Sequence, residues 1–493
     1  MIPSADATRP APPLAEDTRK TAGGRNTPLL LLVILALGAV LRLTALGYKS
    51  FWLDEISSVV FARVPGISFW RTLWNDEGNM ALYYVMLRPW LHFGTGEASV
   101  RMLSVLPGVA SLLLMYLLSA RLFGRAVGMV ATLFLALSTC AVVYSQEARA
   151  YSWLLLGVIA STYLFVRLIQ RPTYALTIAY ALTAGVTLYF HYFGLLVPLA
   201  HALSLPALTR ERRPWKYLFA SSAILAALAI PVLWMIHTQP IQHIDWVQKP
   251  SLLELYHLGV FLAAEGSKAV GAVLLALELV LAGLFLRTMK SSRDRAKDQP
   301  QYWRYALVAS SLFTPVIITL LVSVVRPVFF HRFLIICLPA WLLAVAVGAC
   351  GIPTLKLRTA AITGVCALSL ASTVMSYTRV REDWRDVAKY LIAHATAQDY
   401  VLYYAGVGNP SDSYRDWLPG GANNRPMSVE VSGASGDWRQ KIAAGERVWM
   451  LRYPTSRSDE TTRTVEAELQ SRYIVGETEK FRAITLTEYI PKK

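Results

Sequence analysis

The sequence predicts a polytopic α-helical membrane protein carrying a small α/β domain at its C-terminal end. Three observations predict it. Of 493 residues, 55% are hydrophobic and only 16% are charged, a balance that belongs to bilayers rather than to soluble globules. Apolar stretches of roughly 20 residues, the length that crosses a hydrocarbon core, recur through the first three quarters of the chain. The net charge of +16 is also uneven: residues 1–375 carry +15 and residues 376–493 carry +1. Basic residues flanking apolar spans follow from the positive-inside bias. They need no nucleic-acid partner, which would require a continuous basic face on a folded surface. The long apolar runs exclude a disordered chain.

Residues 1–28 are rich in Pro, Ala and Thr and carry Arg9, Arg19, Lys20 and Arg25, which predicts a disordered cytoplasmic tail. The apolar run after it is too long for a signal-peptide core and has no clear cleavage site, so it reads as a retained anchor. The transmembrane domain is expected over 29–375, with about 11 spans: 29–47, 102–120, 126–145, 152–170, 174–190, 192–208, 217–236, 268–286, 305–325, 333–350 and 359–376. With the N-terminus inside, every strongly basic short loop falls on the cytoplasmic side. These hold Arg121/Arg125, Arg167/Arg171, Arg210/Arg212/Arg213/Lys216, six bases between Arg287 and Arg304, and Lys356/Arg358. Counting the short segment 81–93 as a further span would turn them all outward, against the bias. Arg88-Pro89 also interrupts that segment, so it reads as an amphipathic helix at the outer interface.

The outer face then holds 48–101, 146–151, the turn at 191, 237–267, 326–332 and the domain 376–493. Its charges are the informative ones. Asp54 and Glu55 follow the first span directly; paired carboxylates at a membrane surface bind a cation, take a proton, or begin a helix. Asp76 and Glu77 form a second acidic pair that could equally start a helix. Together with His243 and Asp245 they are the candidates for holding a divalent metal ion. Glu147 and Arg149, in a turn too short to be a solvated face, belong in a polar cleft or pin the turn as an ion pair. Outward bases oppose the topology bias and call for an anionic partner; Arg149, Arg326, Arg332 and Lys268 are the candidates, and arginine suits phosphate through bidentate contacts. Tyr83, Tyr84, Tyr151, His191, Tyr192 and His331 are candidates for lining the cleft. Acids for a proton or cation beside bases for a phosphate suggest group transfer from a phosphorylated donor, and at a membrane surface that donor is a lipid phosphate.

In order along the chain, FWLDEISS, ALYYVMLRPW, SVRMLSVLPG, YSQEARAYSWLLL, HRFLIICLP and DWRDVAKYL (383–391) resemble the membrane glycosyltransferases of the GT-C superfamily. They look most like the bacterial relatives of the protein O-mannosyltransferases and of the lipid A aminoarabinose transferase. The resemblance implies a GT-C fold, a polyprenyl-phosphate sugar donor, and transfer on the periplasmic face of a bacterial inner membrane, usually with inversion. The acceptor would be a hydroxyl or phosphate of a lipid, a glycan or a protein. It assigns the general base to Asp54, puts Glu147 and Arg149 in the cleft, and gives Arg332 a phosphate contact; Asp54, Glu55 and Glu147 are the candidate catalytic residues. Relatives often carry His-Pro-Pro or Asn-Pro-Pro before Leu-Tyr-Tyr where this chain has GNMALYY, which weakens the metal role of that stretch; no cofactor is certain.

The last domain alternates patterns: a helix from EDWRDVAKYLIAHA, strands from DYVLYY and ERVWMLRY, a helix from SDETTRTVEAELQSRYIV and a final strand from RAITLTEY. Glu278 is expected mid-span, packed against another helix or lining the cleft. Cys140, Cys337, Cys350 and Cys366 lie in apolar runs without a Cys-x-x-Cys pair, giving neither a disulfide framework nor a zinc motif. Two rival functions remain at this level. A transporter or flippase would place its polar site near the bilayer midplane. An O-antigen ligase or polymerase would show a large outer loop in mid-chain, whereas the longest here lies between the first two spans.

Overall fold

The computed structural model describes residues 27–239, 247–265, 268–295, 301–404, 409–421, 425–431, 438–443, 445–453 and 459–492. Residues 1–26 of the expected tail, and His243 and Asp245, lie outside the described residues; Thr27 and Pro28 already belong to the first helix.

The chain begins with the apolar helix α1 (Thr27–Leu43) and three short helices, α2 (Leu53–Ala62), α3 (Gly66–Asn75) and α4 (Ala81–Trp90). It continues through α5 (Glu97–Phe123), α6 (Arg125–Leu137), α7 (Thr139–Ser145), α8 (Tyr151–Gln170), α9 (Tyr174–Phe190), α10 (Leu196–Ser204) and α11 (Trp215–Thr238). The bundle closes with α12 (Leu252–Ala263), α13 (Lys268–Arg295), α14 (Gln301–Val325), α15 (Leu338–Cys350) and α16 (Leu355–Tyr377). Among the described residues, seven helices are long and apolar enough to cross a membrane, and α6 with α7, bent by 56°, make an eighth. The other three expected spans are shorter apolar stretches: α1, α9 and the turn-and-helix run 192–207. Two details differ from expectation. The segment 237–267 contains the helix α12, and α13 continues to Arg295 into what reads as a loop.

Polar side chains explain how the bundle tolerates its irregular points, where freed backbone groups must find partners in a medium without water. Ser138 breaks the span between α6 and α7, and its hydroxyl accepts from Ala141 N–H to start α7. The freed carbonyls of Leu135 and Ala136 take hydrogen bonds from the buried Arg42 guanidinium, both at 3.2 Å. Gly348 lets α15 close on α13: a Cβ there would lie 1.9 Å from the Leu281 carbonyl oxygen, so only glycine fits.

The two ends of the bundle differ. At one, Arg121 meets Gln170 and Arg304 donates to the Leu122 carbonyl at 2.7 Å, drawing the basic turns together. At the other, α4 packs on α2, α9 and α5. The C-terminal domain joins at this second end, with α17 (Trp384–His394), β1 (Tyr400–Tyr404), α18 (Pro410–Arg415), β2 (Met427–Val431), α19 (Trp438–Lys441), β3 (Val448–Arg452), α20 (Asp459–Arg472), β4 (Tyr473–Phe481) and β5 (Ile484–Pro491). The sheet order is β2-β1-β3-β5-β4; β1 is parallel to β2 and β3, and β5 is antiparallel to β3 and β4. The helical pattern expected to run through Val475 stops at Arg472. Tyr473-Ile474-Val475 suit a pleated strand better than another helical turn, and they pair with β5. Tyr414 ties this domain to the bundle: its hydroxyl donates to Glu97 at 3.0 Å and accepts from Ser50 at 3.2 Å.

Candidate active site

The first turn of α2 puts its two adjacent carboxylates to different uses. Glu55 is fully buried. Arg101 donates to it through Nε and Nη2 at 2.8 and 2.7 Å, the Ala148 N–H at 2.8 Å and the Trp52 N–H at 3.3 Å. The other nitrogen of Arg101, Nη1, holds the carbonyls of Leu46 and Lys49, and Nη2 also reaches Ser50. Four donors thus occupy both oxygens of Glu55, a candidate catalytic residue in the sequence, and the carboxylate locks the turn between α1 and α2 onto α5. Removing one partner of such a buried pair typically costs about 3–5 kcal/mol.

Asp54 turns the other way and remains 29% exposed. Arg332 Nη1 donates to its Oδ2 at 2.8 Å, and Arg149 Nη2 stands 3.9 Å from the same oxygen. Arg149 Nη1 lies 3.3 Å from Ser58 Oγ and 3.4 Å from both the Asp54 carbonyl and the Tyr84 hydroxyl. Tyr84 in turn donates to Glu77 at 3.5 Å. The Gln-Glu-Ala-Arg turn therefore divides its work. Gln146 caps the end of α1 by donating to the carbonyls of Leu41, Arg42 and Thr44. The Ala148 N–H holds Glu55, and Arg149 faces Asp54.

The third wall comes from the segment between α16 and α17. Arg381 pairs with Glu147 at 2.8 Å and with Glu265 at 3.4 Å. Burial pushes both carboxyls above the usual carboxylate range, with Arg381 pulling in the opposite direction. The Trp52 ring carries Arg332 and Arg381 on it, at 4.9 and 4.4 Å from its centroid, within cation–π range. Around this cluster several buried polar atoms lack a hydrogen-bond partner: Arg149 Nε, Arg332 Nε, Arg381 Nη1, Glu147 Oε2, His191 Nε2 and His331 Nδ1. Burial lowers the His191 ring to about 3, so it is neutral at ordinary pH. Its Nδ1 accepts from Phe193 N–H, which leaves the N–H on Nε2. Unmet donors next to guanidinium groups are what an anionic ligand would satisfy.

Other sequence candidates are arranged around this centre. Tyr83 is fully buried and accepts from Ser104 at 3.5 Å, and Tyr151 packs its ring on Tyr144 and His191. His331 stacks on Phe330 and Phe261. Tyr192 points elsewhere, donating to Gln239 at 2.9 Å. Arg326, just after α14, also keeps a buried Nε without a hydrogen-bond partner, and Lys268 is exposed at the start of α13. Asp76 is exposed at the end of α3. Among the described residues no three His, Cys, Asp or Glu side chains gather as a metal-ligand set, Asp76 and Glu77 included. Sequence reasoning missed Arg101, Trp52, Arg381 and Glu382. A base in a segment read as outer, beside the last span, was the available signal for Arg381, the same signal that marks Arg332.

A family model described as dolichyl-phosphate-mannose-protein mannosyltransferase matches residues 82–235. No curated protein sequence matches the chain. Among solved structures, ArnT from Cupriavidus metallidurans bound to undecaprenyl phosphate aligns with a TM-score of 0.61 at 13% identity, over 94% of this chain and 98% of that one. The oligosaccharyltransferase AglB from Archaeoglobus fulgidus, in complex with an inhibitory peptide and a dolichol-phosphate, aligns with a TM-score of 0.50 at 10% identity, over 87% of this chain and 70% of that one. The Archaeoglobus fulgidus oligosaccharyltransferase tethered to an acceptor peptide gives 0.53 at 11% identity, over 92% and 69%. The chain thus has an ArnT-like fold, and residues 82–235 within it match the mannosyltransferase model.

Proposed function

We propose that this protein transfers a hexosyl or pentosyl group from a polyprenyl-phosphate donor to an acceptor on the periplasmic face of a bacterial inner membrane. The observation that carries the reading is one partly exposed carboxylate, Asp54, held between two arginines whose buried Nε–H groups have no protein acceptor. The fold supports it, because similar structures hold polyprenyl and dolichyl phosphates.

Asp54 takes the proton from the acceptor hydroxyl as its oxygen attacks the anomeric carbon. The new C–O bond forms on the face opposite the lipid phosphate, the bond to the phosphate oxygen breaks, and the anomeric configuration inverts. A phosphate leaves without needing a proton, so one base suffices. Arg332, Arg149 and Arg381 hold the charge that develops on it, as preorganised donors in a water-poor cleft do. Each can serve a phosphate through the N–H groups that the protein leaves unmet. Glu147, paired with Arg381, positions that arginine. The acceptor is a lipid such as lipid A, a polysaccharide or a protein.

The intramembrane Glu278 and His201 favour an enzyme over a transporter, because each is hydrogen-bonded within the bundle. Glu278 accepts from Trp341 at 2.7 Å, and His201 is held at 3.0 Å by both Thr162 and Tyr180. Mass spectrometry of envelope glycolipids, polysaccharides and glycoproteins from a deletion strain tests the reading. Loss of one sugar from one envelope component, restored by the wild-type gene, is expected. An unchanged glycan profile, with solute flux across proteoliposomes of the purified protein, favours a transporter.

A further inference from the structure

The helix that carries Asp54 lacks the start that its own sequence should provide. Its N-cap is Trp52, whose indole cannot accept a hydrogen bond, whereas helix starts favour Ser, Thr, Asp or Asn. Glu55 supplies only half of a capping box, accepting from the Trp52 N–H. The N–H of Leu53, first residue of the helix, is taken instead by Glu382 Oε2 at 3.0 Å, 329 residues away. Trp384 Nε1 donates to the same oxygen at 2.6 Å and fixes the carboxylate. Glu382 is 6% exposed and Trp384 is fully buried, so this cap is built in rather than a passing surface contact. A carboxylate at a helix N-terminus also complements the helix dipole.

We infer that Glu382 is a positioning residue: the strap leading into the C-terminal domain caps α2 and thereby fixes the Asp54 carboxylate against Arg332 and Arg149. Neighbouring Arg381 anchors the strap from the other side, on Glu147. The C-terminal domain is thus part of the catalytic geometry, whatever it does toward an acceptor. The inference rests on the proposed role of Asp54 as base.

Steady-state transfer and amide hydrogen exchange on the full-length protein test it together. Glu382→Ala is expected to lower kcat about ten- to a hundredfold, as misplacing a reacting group does, with the KM for donor near that of wild type. Exchange should quicken at the first-turn amides of α2. Glu382→Gln keeps an oxygen that accepts from both donors and should restore kcat. Leu53→Pro removes the capped N–H at a position where proline is tolerated, so in that background Glu382→Ala should cost nothing further. Wild-type kcat in Glu382→Ala, with Asp54→Asn inactive, overturns the inference and leaves the role of Asp54 standing. A loss of kcat in Glu382→Ala with unchanged α2 exchange also overturns it. If wild type transfers no sugar, the proposed function fails, and exchange at α2 still decides whether Glu382 caps the helix.

Discussion

Asp54→Asn is expected to abolish sugar transfer, lowering kcat by about 10²–10⁴-fold, the usual contribution of a positioned general base. The substitution keeps the side chain's shape and leaves an oxygen for Arg332 Nη1, which donates to Oδ2 at 2.8 Å. Membrane insertion and donor binding should therefore survive, which separates a chemical defect from a folding one. The neighbouring carboxylate provides the internal contrast. Glu55→Gln weakens the clamp with Arg101, so its damage should appear in yield and thermal unfolding rather than in kcat of the folded fraction. The measurement is transfer from a polyprenyl-phosphate sugar by purified protein in detergent or nanodiscs. Asp54→Asn activity near the wild-type level would reject Asp54 as the base.

The second large effect concerns the donor. Arg332→Ala removes a guanidinium that touches Asp54, lies over the rings of Trp52 and Phe330, and keeps a buried Nε–H without an acceptor. Hydrogen bonds to a charged group contribute about 1.5–3 kcal/mol each. The KM for the lipid donor should therefore rise about ten- to a hundredfold, while the KM for the acceptor changes little. Arg332→Lys should recover only part of this loss, since an ammonium cannot bridge carboxylate and phosphate as a planar fork does. A donor KM unchanged in Arg332→Ala contradicts the assignment.

The sequence made part of this site legible for a physical reason. Topology bias removes bases from loops read as outer, so Arg149 and Arg332 stand out in the sequence in the same set of loops as Asp54. The same pattern cannot distinguish Asp54 from Glu55. That distinction depends on Arg101, 46 residues further on, folding back onto Glu55. Arg381 and Glu382 were hidden in what reads as the charged approach to an amphipathic helix, because their partners lie more than a hundred residues away at Glu147, Glu265 and Leu53. The spans were readable because length and apolarity define them. The break at Ser138 was not, since its satisfaction comes from Arg42 on another helix. In the C-terminal domain the helix-to-strand change at Tyr473 depends on pairing with β5, a contact that local periodicity cannot supply.

The most direct measurement is a cryo-electron microscopy structure of the wild-type protein in nanodiscs with undecaprenyl phosphate. The account predicts phosphate density within hydrogen-bonding distance of Arg332 and Arg149, beside the Asp54 carboxylate and below the Arg381 strap. Lipid phosphate density at another end or face of the bundle, with the Asp54 cleft empty, would contradict it.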